Sequence, residues 1–262
     1  MSQRPEKPVD LETKAFRQEA YESYPSALGR IPTGSGVETN HYARRLVRQQ
    51  FPPIRSARIV DLGCGDGALL ASAAQLGYEN LAGVDLAAEH VAAAHGRGLG
   101  GVVQGNAFSY LENTATGTVD LVLTMDVVEH LTRGEALLLA REIHRVLAPS
   151  GRWVVHTPNG ASPLFGRVRY GDLTHETAYT TSSMAQLFRL AGFAEFRSHE
   201  DTPVVHGLVS AFRALGWLCI RAALRIILAI ETGNTGRAEV FSQNLLAVAV
   251  KAGGRGTHGE TR

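Results

Sequence analysis

Three glycines at alternate positions, in the run Val60-Asp61-Leu62-Gly63-Cys64-Gly65-Asp66-Gly67, expose bare backbone where a side chain would block a close approach. The run follows a short β-rich stretch, so the turn falls at the carboxyl edge of a sheet, where open α/β folds bind ligands. Its spacing, Gly-x-Gly-x-Gly, differs from the Gly-x-Gly-x-x-Gly of dinucleotide sites, in which a pyrophosphate rests on a helix N-terminus. Asp61 at the mouth would repel phosphate and attract a cationic amine or sulfonium, so a ligand without phosphate is expected. Asp85 closes the next β-rich run in Gly83-Val84-Asp85-Leu86, the place for a carboxylate that grips ribose hydroxyls. Asn106, in Gln104-Gly105-Asn106-Ala107, offers an amide to an adenine edge. Each has a plainer use alone, since glycines make turns and Asp85 can cap a helix starting near Ala88. Their order at three successive strand ends favours one shared ligand.

A second constellation is richer in acid–base groups. Met125-Asp126-Val127-Val128-Glu129-His130 follows the fourth β-rich run, and a helical turn there would bring Asp126, Glu129 and His130 onto one face. Tyr170-Gly171-Asp172-Leu173-Thr174-His175-Glu176 adds His175 from a long loop after the fifth run. Two carboxylates and two imidazoles suit a small divalent metal, and equally suit general-base removal of a hydroxyl proton. His41, His95, His144, His156, His199 and His206 read as ordinary surface or core residues. Tyr42 either closes over the ligand or packs a cap helix.

Positioning these groups needs a sheet. Arg58–Leu62, Leu81–Asp85, Gly101–Gln104, Val119–Thr124, Gly151–Thr157, Phe193–Ser198 and Asn244–Lys251 read as strands, with helices over Asp66–Leu76, Ala88–Arg97, Arg133–Leu147 and Thr181–Ala191. Strands separated by such helices predict a parallel, doubly wound sheet covered on both faces. With 262 residues, 44% of them hydrophobic and 19% charged, the chain accommodates one large α/β domain. The expected organisation is a disordered N-terminus over 1–9, cap helices within 10–56, the catalytic domain over 57–252 with an apolar helical insertion at 201–243, and a disordered tail over 253–262. A formal charge of +1 gives no sequence-wide drive toward nucleic acid. Two cysteines, Cys64 and Cys219, and an N-terminus without an apolar signal core fit a reducing cytoplasm. Gly207–Ile230 is strongly apolar, but Arg213, Arg221 and Arg225 interrupt it, which disfavours a membrane span. At about 100° per residue those arginines fall within a sector of roughly 120°, leaving a wide apolar face to lie on a membrane surface, on the protein's own core or on a second subunit. Gly216 is expected to weaken or kink that helix.

Val60–Gly67, Asp85 and Asn106 resemble the signature positions of class I methyltransferases, and the similarity runs from Tyr42 to Lys251. The resemblance implies a Rossmann-like doubly wound α/β fold with a seven-stranded sheet, mostly parallel with an antiparallel last strand. It implies S-adenosyl-L-methionine as cofactor: Gly63, Gly65 and Gly67 shape the pocket for the methionine part, Asp85 holds the ribose, and Asn106 and Ala107 lie near adenine. Asp61, Cys64, Leu86 and Met125 belong to the same site. Asp126-x-x-Glu129-His130 with Thr174-His175 is similar to ubiquinone-biosynthesis O-methyltransferases, where Glu-x-x-Glu-His and Gly-Thr-His occupy these places. It also looks like the metal-assisted small-RNA 2′-O-methyltransferases, which share the Thr157-Pro158-Asn159 context. Both groups imply Mg2+ or a similar ion on Asp126, Glu129, His130 and His175, with His130 and His175 as catalytic residues acting on the acceptor hydroxyl. Asp126 departs from the pattern, being shorter than the Glu found there; related methyltransferases keep Glu-His with no metal at all. The expected reaction is methyl transfer to the oxygen of a small, hydrophobic or lipid-linked acceptor, with peripheral membrane contact through 207–230. An RNA 2′-O-methyltransferase is disfavoured by the near-neutral charge and the apolar insertion, and a non-catalytic cofactor-binding scaffold by the intact glycine turn.

Overall fold

The computed structural model describes residues 40–234, 236 and 239–253. Seven strands form one sheet: β1 (Ile59–Leu62), β2 (Leu81–Asp85), β3 (Val102–Gln104), β4 (Val119–Met125), β5 (Leu147–Pro158), β6 (Glu195–Glu200) and β7 (Asn244–Val250). Their order is β3-β2-β1-β4-β5-β7-β6, parallel from β3 to β5, with β7 antiparallel to both β5 and β6. The helices are α1 (His41–Gln50), α2 (Ala68–Gln75), α3 (Ala88–Gly96), α4 (Ala107–Glu112), α5 (Arg133–Val146), α6 (Phe165–Arg169), α7 (Thr181–Ala191) and α8 (Leu208–Thr232), with a 3₁₀ turn over Val128–His130. The expected Rossmann-like architecture is present.

Central strands covered on both faces read as continuous apolar runs, and their side chains divide between two cores by pleat. Ile59, Leu121, Leu123 and Val154 pack with Leu46 and Val47 of α1, Leu70 of α2 and Val91 of α3. Val60, Leu62, Val122, Trp153 and Val155 pack with Ile143 of α5 and Met184 and Phe188 of α7. Trp153 is wholly buried, edge-on to Phe188 at 5.3 Å, and its indole N–H donates to Thr124 Oγ1 at 2.9 Å. Capping sets the helix starts: Thr132 and Glu135 form a reciprocal box on α5, and Thr180 and Ser183 do the same on α7.

Several boundaries differ from those expected. The strand proposed for Phe193–Ser198 forms two residues later, because Phe193 is buried beside His144, Trp153 and Phe188 just after the left-handed Gly192, and the chain extends only beyond it. β5 starts at Leu147, directly on the end of α5. α4 and α6 were not expected; both are under two turns long, too short for a period to show. Of the cap helices expected within 10–56, α1 is described; residues 10–39 lie outside the described residues, as do 1–9 and 254–262.

The apolar insertion is a single 25-residue helix, α8, that continues through Gly216 and buries only Ser210. It does not sink its apolar face into the protein's own core. The side turned to the body carries Trp217 and Arg221, which reach the Glu200 carboxylate at 3.3 and 3.1 Å. Leu208, Phe212, Leu215, Ile226 and Ile230, at helical spacing, face outward. No helix among the described residues is long and apolar enough to cross a membrane.

Trp153→Ala removes the largest fully buried side chain and leaves the Thr124 hydroxyl without its donor. It is expected to cost about 3–5 kcal/mol in denaturant unfolding; a loss below about 1 kcal/mol would show that Trp153 does not hold the α5–α7 side of the sheet.

Candidate active site

The glycine turn sits between β1 and α2, where the chain must leave the sheet sharply. Gly63 and Gly65 adopt φ of +72° and +55°, in the left-handed region that side chains disfavour. A Cβ on Gly63 would lie 2.6 Å from Val127 Cγ2, so this glycine lets the segment after β4 press against the turn. A Cβ on Gly65 would meet nothing within 4 Å, so the backbone there borders open space. The Gly65 N–H donates to Asp85 Oδ2 at 2.8 Å, tying the turn to the tip of β2.

Asp61 is not at the mouth. It lies beneath the turn at 2% exposure, and its Oδ1 has no hydrogen-bond partner. Burial, with Asp85 nearby, pushes its carboxyl up to about 8. A buried orphan oxygen beneath an open, side-chain-free turn fits a ligand that brings a positive charge and hydrogen-bond donors, as S-adenosylmethionine does. Asp85 receives the Ala87 N–H at 3.0 Å and His90 Nδ1 at 3.2 Å on Oδ1, so it also serves the capping role that its position allowed. Asn106 is exposed, and its Oδ1 caps α4 by accepting from the Phe108 N–H at 2.8 Å, which leaves its amide NH2 to act as donor. Leu86 is exposed at the tip of β2, Ala107 and Met125 are half-buried, and the Cys64 thiol is buried and pushed up by that burial.

Across the Val127 contact lies the second constellation. Glu129 and His130 ride on the 3₁₀ turn and are buried at 1% and 5% exposure. The loop carrying His175 is stitched to that turn: the Glu176 and Thr177 N–H groups donate to the Glu129 carbonyl at 2.8 and 3.0 Å, and Thr177 Oγ1 donates to the Leu131 carbonyl at 3.1 Å. The His130 and His175 rings therefore meet edge-on at 4.7 Å. Thr174 Oγ1 donates to Asp172 at 2.6 Å, so it accepts from His130 Nδ1 at 2.8 Å, which puts the proton of the neutral ring on Nδ1 and the lone pair on Nε2. Burial and the neighbouring His175 hold His130 down at about 4, neutral throughout the physiological range. Burial and then the Asp126 charge raise Glu129 to about 8; its Oε2 accepts from Thr157 Oγ1 at 3.0 Å, while Oε1 is without a partner, as is the buried His175 Nδ1.

Glu129, His130 and His175 each bring one donor atom within 4.8 Å of the others. Asp126 does not join them, which corrects the four-ligand set. It adopts a left-handed φ of +55°, its side chain is 60% exposed, and Oδ1 binds His156 Nδ1 at 2.7 Å. A helical turn through residue 126 would have aimed it with Glu129; the left-handed residue breaks the helical sense there and costs about 1–2 kcal/mol of strain. His156 is thus not an ordinary core residue. Sequence reasoning passed over it, although an imidazole ending the buried apolar run Trp153-Val154-Val155 needs polar partners and could have been flagged on that ground. The Thr157-Pro158-Asn159 context also proves structural in part: Asn159 is fully buried and its amide donates to the Val240 and Ser242 carbonyls at 2.7 and 2.9 Å.

A sheet of this topology, with a glycine-rich turn after β1 and an acid at the tip of β2, is the architecture of a methyltransferase domain of the S-adenosylmethionine-dependent type. The family model described as a methyltransferase domain matches residues 37–195, more than half of the sequence, and the chain belongs to that family. Among curated relatives, the ubiquinone biosynthesis O-methyltransferase of Xanthomonas oryzae pv. oryzae (strain PXO99A) is 30% identical over 158 residues, covering 57% of this chain and 65% of that protein. The protein of the same name from Caulobacter sp. (strain K31) is 36% identical over 117 residues, 41% of this chain and 43% of that one. The chain thus spans 65% or less of the length of these relatives. Among solved structures, a SAM-dependent methyltransferase from Archaeoglobus fulgidus superposes with a TM-score of 0.60 at 18% identity, covering 87% of this chain and 99% of that one. Haemonchus contortus phosphoethanolamine N-methyltransferase 2, in complex with S-adenosyl-L-methionine, gives 0.58 at 17% identity over 88% of this chain and 60% of that one; at such identities the likeness is one of fold.

The raised Asp61 carboxyl gives a signed expectation. Below about 8 the bare site carries this group protonated, and a cationic ligand favours the carboxylate, so binding releases a proton and tightens as pH rises toward that value. Calorimetry of S-adenosylmethionine binding at neutral pH, in buffers of different ionisation enthalpy, should show proton release that Asp61→Asn abolishes. Equal release by both proteins would remove Asp61 from the site.

Proposed function

We propose that this protein transfers the methyl group of S-adenosylmethionine to a hydroxyl oxygen of a hydrophobic or lipid-linked acceptor. The observation that carries this reading is the Glu129, His130 and His175 cluster, two of its members buried, on the turn that follows Val127, which itself packs against the glycine turn. The cofactor, when bound, supplies a methyl group made electrophilic by its sulfonium. The chain's own residues then have to hold the acceptor oxygen in line and dispose of its proton. His130 suits that role because it is neutral, its Nδ1–H is anchored on Thr174, and Nε2 carries the lone pair that receives the proton as the O–H bond breaks and the O–C bond forms. His175, edge-on to His130, contacts the acceptor from the other loop. The names of the curated relatives support oxygen as the methylated atom.

The same three residues fit a divalent cation. Held there, such an ion would lower the pKa of an acceptor hydroxyl and take over the activation otherwise left to His130. Two imidazoles with one carboxylate suit a manganese- or zinc-type ion better than Mg2+, which favours oxygen donors, and Asp126 supplies no second carboxylate. Turnover of a farnesyl-bearing catechol with methyl-labelled cofactor, measured after exhaustive chelation, separates the two uses. Loss of activity restored by Mn2+ supports the ion, and unchanged turnover supports His130 as base. Under either use, His130→Ala is expected to lower kcat by roughly a hundredfold or more. A change under threefold in an otherwise active enzyme would place the chemistry elsewhere.

The outward apolar side of α8 supports the lipid-linked class of acceptor and a peripheral contact with a membrane surface. With vesicles of phosphatidylcholine and phosphatidylglycerol, the protein is expected to float, and a Phe212→Asp, Ile226→Asp double variant with unchanged circular dichroism is expected to sediment. Failure of the unaltered protein to float removes the membrane contact.

A further inference from the structure

Outside the cofactor turn and the Glu129 cluster, the described residues place a linked set of charges around the buried His156. This residue lies in β5 opposite Met125, and its main chain and side chain both hold the next residue: the Asp126 N–H donates to the His156 carbonyl at 3.0 Å, and His156 Nδ1 meets Asp126 Oδ1 at 2.7 Å. Its other nitrogen, Nε2, lies 3.3 Å from Asp201 Oδ2, in the connection between β6 and α8. Asp201 in turn accepts from Arg45 Nη2 at 2.9 Å, while Arg45 Nη1 donates to the Thr202 carbonyl at 2.8 Å. From the same helix the Tyr42 ring lies edge-on to His156 at 6.1 Å. A chain of alternating charge therefore runs from the residue that starts the catalytic turn, through the interior of β5, to helix α1.

With a carboxylate on each side, the ring is held as an imidazolium: burial alone would lower it, but Asp126 and Asp201 raise it to about 10. Both its N–H groups are then donors, and each has an acceptor. The imidazolium is 7% exposed and has little water to turn to, so losing a counter-charge is costly on its side, whereas the half of Asp126 that faces out keeps its hydration.

We propose that His156 is a positioning residue that fixes the left-handed bend at Asp126, thereby aiming Glu129 and His130 at the acceptor, and that through Asp201 and Arg45 it locks helix α1 to the same bend. The proposal rests on the reading of Glu129 and His130 as the acceptor site. It assigns Asp126 to holding the turn, with no part in binding an ion or carrying a proton.

The test compares His156→Gln with Asp126→Asn and Asp126→Ala in the full chain. Asparagine tolerates a left-handed backbone and keeps an oxygen for the His156 N–H, whereas alanine does neither. With the farnesyl-bearing catechol as acceptor, His156→Gln and Asp126→Ala are expected to lower kcat about tenfold or more with KM little changed, and Asp126→Asn to retain at least about a third of it. Backbone hydrogen exchange, which needs no acceptor, should show residues 126–131 and 41–50 opening together in His156→Gln while β1 and β2 stay protected. Asp126→Asn should keep both segments closed. The proposal is overturned if exchange in the two segments is unaltered in His156→Gln, or if Asp126→Asn is as impaired as Asp126→Ala. A catechol that no version of the protein methylates would count against the acceptor reading alone, and the exchange data would still decide the role of His156.

Discussion

The close approach of Val127 to the bare Cα of Gly63 is the constraint on which both halves of the site depend. Under the proposed reading of Glu129 and His130, methyl transfer in line needs donor and acceptor a few ångströms apart, so the turn after β1 and the turn after β4 cannot be separated by an ordinary side-chain layer. The parallel register of β1 with β4 brings the two strand ends level, with Leu62 opposite Thr124, but level ends alone would leave the turns a side chain apart. Removing the Cβ at 63 closes that distance. The chain then bends through the left-handed Asp126, Val127 packs against Gly63, and the 3₁₀ turn that follows carries Glu129 and His130.

Buried charge organises the remainder. Asp61, Glu129 and His156 are all ionisable and almost fully enclosed, yet they are satisfied differently. His156 has its counter-charges from the protein and is complete in itself. Asp61 and Glu129 each keep a bare oxygen and a raised pKa, the signature of groups arranged for something that arrives later. The distinction separates scaffold from site more sharply than burial does.

The sheet was legible in the sequence because its signals are local: apolar runs of strand length, glycine at the turns and capping residues such as Thr180 act over a few residues. β2 and α7 match their expected bounds, and the glycine turn could be placed with its partner acid at Asp85. The failures arose where long-range partners decide. Asp126 turned away from Glu129 to a partner thirty positions on, His156, and nothing near Asp126 in sequence announces that contact. Asp61 seemed to stand at the mouth because its residue type suggested water, whereas the pleat of β1 turned it inward. The periodicity of α8 defined its two faces correctly but not which of them meets the protein; Glu200 and the side chains of Trp217 and Arg221 made that choice.

The sheet also has an end that resists growth. β6 is its outer strand on one side, and along it Glu195, Arg197 and His199 alternate as exposed residues while its other neighbour is missing among the described residues. An unpaired strand edge invites a strand from another molecule, and exposed polar and charged side chains along it make such an addition costly because they would lose water. A protein that carries an outward greasy helix needs such an edge. Crowded against its own kind, it can press apolar surface on apolar surface, which is reversible, without zipping backbone to backbone into a fibre, which is not.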